Sequence, residues 1–81
     1  MWISAKPNPA DSWVAFDFRL PSYIGEAFLR ISDVNGKEIV RFPIDSEKGQ
    51  KIWDIRKIDS GVYFYTLDAG NIQKTNKLII K

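Results

Sequence analysis

At 81 residues, the chain has room for one domain with one modest hydrophobic core. With 44% hydrophobic and 14% aromatic residues it is too apolar for a disordered tail, and with no cysteine and no histidine it has neither disulfides nor thiolate metal sites nor the usual general base. A net charge of +2 is too mild to indicate a nucleic-acid binder, and no apolar run approaches the roughly 18 residues of a membrane-spanning helix.

Trp2-Ile3-Ser4-Ala5 reads as a short strand. The N-terminus lacks a basic region followed by an apolar core, the mark of a signal peptide, and Met1 reads as a start residue on an excised fragment. Lys6-Pro7-Asn8-Pro9-Ala10-Asp11 follows, and its prolines forbid a central strand. Ser12 to Leu20 alternates with period two: Val14, Phe16, Phe18 and Leu20 face one way, Trp13, Ala15, Asp17 and Arg19 the other. Pro21-Ser22-Tyr23-Ile24-Gly25 breaks this strand.

Glu26 to Val34 is the next strand, with Ala27, Leu29 and Ile31 inward. Asn35-Gly36 between apolar runs predicts a two-residue turn with positive φ. The return strand, Lys37 to about Ile44, buries either Ile39 or the more apolar set Val40, Phe42 and Ile44, which is preferred. Asp45 to Gln50 reads as an exposed connection, and Lys51 to Ile55 as a strand carrying Trp53 and Ile55 on one face. Ile58 plugs the corner that follows.

Gly61 to Lys81 is a closing hairpin. Val62 to Leu67 is β-branched, aromatic or aliphatic, Asp68-Ala69-Gly70-Asn71 is turn chemistry, and Gln73 to Lys81 returns. Val62 and Phe64 lie on one face and Tyr63 and Tyr65 on the other; one pair is core and the other a surface stripe, and the predicted core takes Val62 and Phe64. That core is completed by Val14, Phe16, Phe18, Leu29, Ile31, Val40, Trp53, Ile55 and Ile58. Leu78 and Ile80 point inward, Lys77, Ile79 and Lys81 outward. No helical periodicity is present, and the pattern predicts an all-β, immunoglobulin-like antiparallel β-sandwich of about seven short strands.

Catalytic chemistry is sparse. Asp17 and Asp54 read as solvated charges, and Ser12, Ser22, Ser32, Ser46 and Ser60 have no base beside them. Asp45 and Glu47 do not match a calcium loop, and the chain is expected to hold no metal and no cofactor. Charge is uneven: residues 70–81 hold Lys74, Lys77 and Lys81 and no acid. Such lysines protect an edge strand from indiscriminate pairing, and they also offer charge to an acidic partner. The terminal strand is expected to present its main-chain edge for strand addition to a receptor.

Four stretches occur in a telling order: Pro7-Asn8-Pro9-Ala10, Ile31-Ser32-Asp33-Val34-Asn35-Gly36-Lys37, Gly61-Val62-Tyr63-Phe64 and Lys77-Leu78-Ile79-Ile80-Lys81. Together they resemble the type A C-terminal sorting domain of the type IX secretion system, found on secreted proteins of Bacteroidetes. The family usually has an aromatic where this chain has Lys6. The resemblance implies a non-enzymatic sorting domain over 1–81, cut from a larger secreted protein, with its folded module starting at about residue 7. It implies a covalently attached N-terminal cargo, the type IX translocon and a sortase-like peptidase as partners, and no nucleic acid. It implies transit through the periplasm to the cell surface or medium, followed by removal of the domain. A carbohydrate-binding or adhesion module, favoured by exposed coplanar Trp2, Trp13 or Trp53, and a structural spacer domain are the competing readings.

Overall fold

The structure is a computed structural model that describes residues 1–21 and 26–81. The expected break at Ser22-Tyr23-Ile24-Gly25 lies outside the described residues. Seven strands follow in order: β1 (Trp2–Lys6), β2 (Trp13–Arg19), β3 (Ala27–Ser32), β4 (Glu38–Ile44), β5 (Lys48–Asp54), β6 (Gly61–Ala69) and β7 (Ile72–Ile80). They form two antiparallel sheets, β1-β2-β5 and β4-β3-β6-β7, which is the expected all-β sandwich. No helix is present among the described residues.

Alternation builds the core. Val14, Phe16 and Phe18 turn inward from β2 and meet Leu29 and Ile31 of β3, all buried. The Phe16 and Tyr65 rings, one from each sheet, sit 5.2 Å apart and tilted by 56°. Trp53, Ile55, Leu78 and Ile80 are buried with them. Val40, Phe42 and Ile58 pack against the core while partly buried, and Ile39 is exposed, so β4 faces inward as preferred.

Three expectations need correction. On β6 the inward face is Tyr63, Tyr65 and Leu67; Val62 is 38% exposed and Phe64 is half-buried. Register decides this: Tyr65 lies opposite Ile31 and Leu67 opposite Leu29, so they share the face that β3 buries. β5 begins at Lys48, inside the expected connection. Its residue Gly49 pairs with Phe18, and a Cβ there would stand 3.2 Å from the Phe18 ring, so the ring fills the space a side chain would need. The short strand expected at Trp2-Ile3-Ser4-Ala5 is present as β1, with Trp2 opposite Arg19.

The third correction concerns the β3–β4 turn. Gly36 does have positive φ, at 84°, but Asn35 does not. The Gly36 N–H donates to the Asp33 carbonyl at 3.1 Å, so Val34 and Asn35 are the central residues. Asp33 Oδ1 accepts the N–H groups of Asn35 and Lys37, each at 2.9 Å. This is a four-residue turn opened by an Asp and followed by a left-handed Gly, rather than a two-residue turn on Asn35-Gly36. The β6–β7 connection is the tight one: Ala69 pairs with Ile72 and Gly70 takes φ 68°.

Two substitutions test this description by urea denaturation. Phe16→Ala should cost about 3–5 kcal/mol, because the ring is wholly buried between sheets. Gly36→Val should cost more than about 1 kcal/mol through the left-handed backbone alone, since nothing lies within 4 Å of the added Cβ.

Candidate functional site

Three of the four sequence stretches meet at one end of the four-stranded sheet. β6 and β7 pair in the register Gly61–Ile80, Val62–Ile79, Tyr63–Leu78 and Phe64–Lys77. Directly opposed residues share a face. Tyr63, Leu78 and Ile80 therefore point inward and are buried, while Val62, Phe64, Lys77 and Ile79 point outward together. Val62 and Ile79 are 38% and 36% exposed. An apolar patch results, flanked by Lys77 and by the exposed Lys81.

The Pro7-Asn8-Pro9-Ala10 stretch closes the other side of β7. Its prolines carry no N–H, so the Asn8 side chain supplies the missing pair of groups. Asn8 Nδ2 donates to the Lys77 carbonyl and the Ile79 N–H donates to Asn8 Oδ1, both at 3.0 Å. The amide thus imitates one peptide group of a neighbouring strand. Ala10 continues the line: its N–H donates to the Ile79 carbonyl and its carbonyl accepts from the Lys81 N–H, each at 2.8 Å. Ala10 is fully buried and forms a parallel bridge with Ile80.

This corrects the expectation of an open terminal edge. From Lys77 to Lys81 the outer main-chain groups of β7 are engaged by Asn8 and Ala10. The open stretch of that edge lies nearer the β6–β7 turn. The Asn8 contact was hidden in sequence because it joins residues 71 positions apart through a side chain; the only signal was an Asn held between two prolines.

Pro7 and Pro9 are exposed beside this clasp. Gly36 and Lys37 lie exposed on the β3–β4 loop, separated from β7 by β3 and β6, so the structure does not join them to the patch. Gly61 starts β6 opposite Ile80. Tyr63 is structural: its hydroxyl donates to the Asp59 carbonyl at 2.7 Å and pins the corner before β6. Burial, then the nearby carboxylates of Asp59 and Asp33, push its phenol pKa up.

The acidic side chains of the three-stranded sheet are engaged by neighbouring side chains. Asp17 receives a hydrogen bond from Gln50 at 2.9 Å. Asp54, hydrogen-bonded by Arg56, is held down at about 2. Both lie on the outer face of the three-stranded sheet, apart from each other. Among the described residues no three His, Cys, Asp or Glu side chains gather in a way that would hold a metal ion. Trp2 and Trp13 are each 50% exposed on that same face, and Trp53 is buried.

Asn8→Ala should destabilise the domain by about 1–2 kcal/mol, the net worth of two hydrogen bonds, in a urea titration. For Tyr63 the raised pKa fixes the sign: its contribution is complete below the ordinary phenol value near 10 and is lost as pH rises through the folded value. The wild-type melting temperature should therefore fall above a pH of about 10, and Tyr63→Phe should lessen that fall.

A family model described as a secretion system C-terminal sorting domain matches residues 5–81, and the chain belongs to that family of type IX sorting domains. No curated protein and no solved structure matches the chain.

Proposed function

We propose that this member of the sorting-domain family directs an attached N-terminal cargo through the type IX translocon by presenting the patch formed by Val62, Phe64, Lys77 and Ile79. Membership already implies a C-terminal signal used by the type IX system for passage through the outer membrane to the cell surface or beyond. On this reading the domain folds in the periplasm, is recognised there as a folded shape, and is cut from the cargo by a sortase-like peptidase after passage. The module then includes the clasp at Pro7, Asn8 and Pro9, and the cut falls ahead of it.

One observation carries the reading. Val62 and Ile79 come from separate stretches of sequence, yet they are exposed side by side while their neighbours Tyr63, Leu78 and Ile80 are buried. Packing explains the buried three; it does not explain two apolar side chains left in water beside two lysines. Exposed apolar groups with a charged rim suit contact with another protein. The clasp supports the reading too, because it holds the C-terminal residues in one rigid geometry.

The test is export of a cargo fusion in a type IX-competent bacterium. Val62→Glu with Ile79→Lys, which places opposite charges on a directly opposed pair, should leave the melting temperature of the isolated domain nearly unchanged and should hold most of the cargo in the periplasm. Lys77→Ala with Lys81→Ala should reduce surface delivery less severely. Deleting Lys77–Lys81 removes the buried Leu78 and Ile80 and should unfold the domain, so it does not isolate the signal. Normal surface delivery by the folded double variant of Val62 and Ile79 would refute the patch.

A further inference from the structure

We propose that the outer face of the three-stranded sheet carries a binding groove for an acidic saccharide. The groove is shallow, about 650 Å³, and lies on the opposite sheet from the Val62–Ile79 patch. The proposal does not depend on the sorting function.

Register builds the groove in rows. Trp2 of β1 lies opposite Arg19 of β2, and Arg19 lies opposite Lys48 of β5. The next row is Ser4, Asp17 and Gln50. Lys6 follows on β1, opposite Ala15. All these side chains share the outward parity, because Ile3 and Phe18, one position on, are buried.

Two features of these rows lack an internal explanation. Arg19 and Lys48 are like charges directly opposed across a strand pair, which costs stability. Neither forms an ion pair among the described residues. With Lys6 the groove gathers three cations against the single carboxylate of Asp17. An anion seated between Arg19 and Lys48 would relieve that repulsion, and a guanidinium suits a carboxylate or sulfate by its forked geometry. The second feature is the Trp2 indole, 50% exposed at the end of the same row.

The two together select the ligand class. An indole face is electron-rich and receives the C–H groups of an apolar ring face. A pyranose offers such a face, with hydroxyls around its rim. Asp17 takes one hydrogen bond from Gln50 at 2.9 Å and keeps acceptor capacity for those hydroxyls. Ser4 and the remaining amide groups of Gln50 supply both donors and acceptors. A sugar that carries a carboxylate therefore meets the indole, the polar middle row and the cation pair at once. A neutral sugar leaves the cations unpaired, and an inorganic polyanion leaves the indole unused. The main chain of β2, at the middle of this face, is paired on both sides, so a peptide laid across the groove finds no free main-chain groups there.

The experiment is an NMR titration of the intact 81-residue domain with trigalacturonate, with cellotriose and tripolyphosphate as comparison ligands. Trigalacturonate should shift the Trp2 indole N–H with a Kd of about 1 mM or tighter, weakening as salt rises. Cellotriose should bind at least about tenfold more weakly, and tripolyphosphate, held by the cations alone, should bind with an affinity that Trp2→Ala leaves unaltered. Trp2→Ala and Arg19→Gln, both at exposed positions, should each weaken trigalacturonate at least about tenfold with an unchanged melting temperature. No shift with trigalacturonate at about 10 mM would overturn the proposal. So would equal binding of cellotriose, or trigalacturonate affinity unaltered by Trp2→Ala.

Discussion

The register of β7 on β6 is the constraint from which the rest of the molecule follows. Pairing Gly61 with Ile80 at one end and Ala69 with Ile72 at the other fixes which side chains share a face. A slip of one residue would expose Leu78 and Ile80 and bury Lys77 and Ile79. The fold prevents that slip from two directions. Leu29 and Ile31 of β3 hold Leu67 and Tyr65 inward, and the Gly70 turn sets the loop length. Asn8 and Ala10 then lock the outer edge of β7 by hydrogen bonds that fit only this register.

The two sheets differ in reach, and this explains the changing character of β7. At its C-terminal end Leu78 and Ile80 lie beneath the three-stranded sheet and are apolar. Nearer the turn, Lys74 and Asn76 have the same parity yet are exposed. Lys74 pairs with Leu67 and Asn76 with Tyr65, so the inner face there passes from core to solvent within one strand pair. The lysine suits a strand that sits at an edge, where an uncovered row of main-chain groups invites unwanted pairing. The same chemistry leaves the clasped end free to be rigid and the turn end free to be polar.

Much of the fold was legible in sequence because alternation was unambiguous where one face was polar. Val14, Phe16 and Phe18 against Trp13, Asp17 and Arg19 gave β2 its facing, and Leu78 and Ile80 against Lys77 and Lys81 gave β7 its own. β6 was illegible for the opposite reason. Val62, Tyr63, Phe64 and Tyr65 are apolar on both faces, and only the pairing with β3 breaks the tie. β5 was shortened because Lys48, Gly49 and Gln50 look like a loop until Phe18 is placed over Gly49. The Asn35-Gly36 signal points to the right glycine but misses Asp33, which opens the turn and whose carboxylate accepts the N–H groups of Asn35 and Lys37. Of the candidate site, the stretches themselves were visible, while their junction through Asn8 depended on tertiary contact.

On the proposed reading, the folded end of the sandwich, with Val62 and Ile79 outward, is the surface read during export. Site-specific photocrosslinking in living cells tests it most directly. A photoreactive residue in place of Val62 or Ile79, carried on a cargo fusion, should capture an outer-membrane component of the type IX translocon, whereas the same group in place of Ile52, exposed on the opposite sheet, should not. Capture from position 52 with none from positions 62 and 79 would contradict the account.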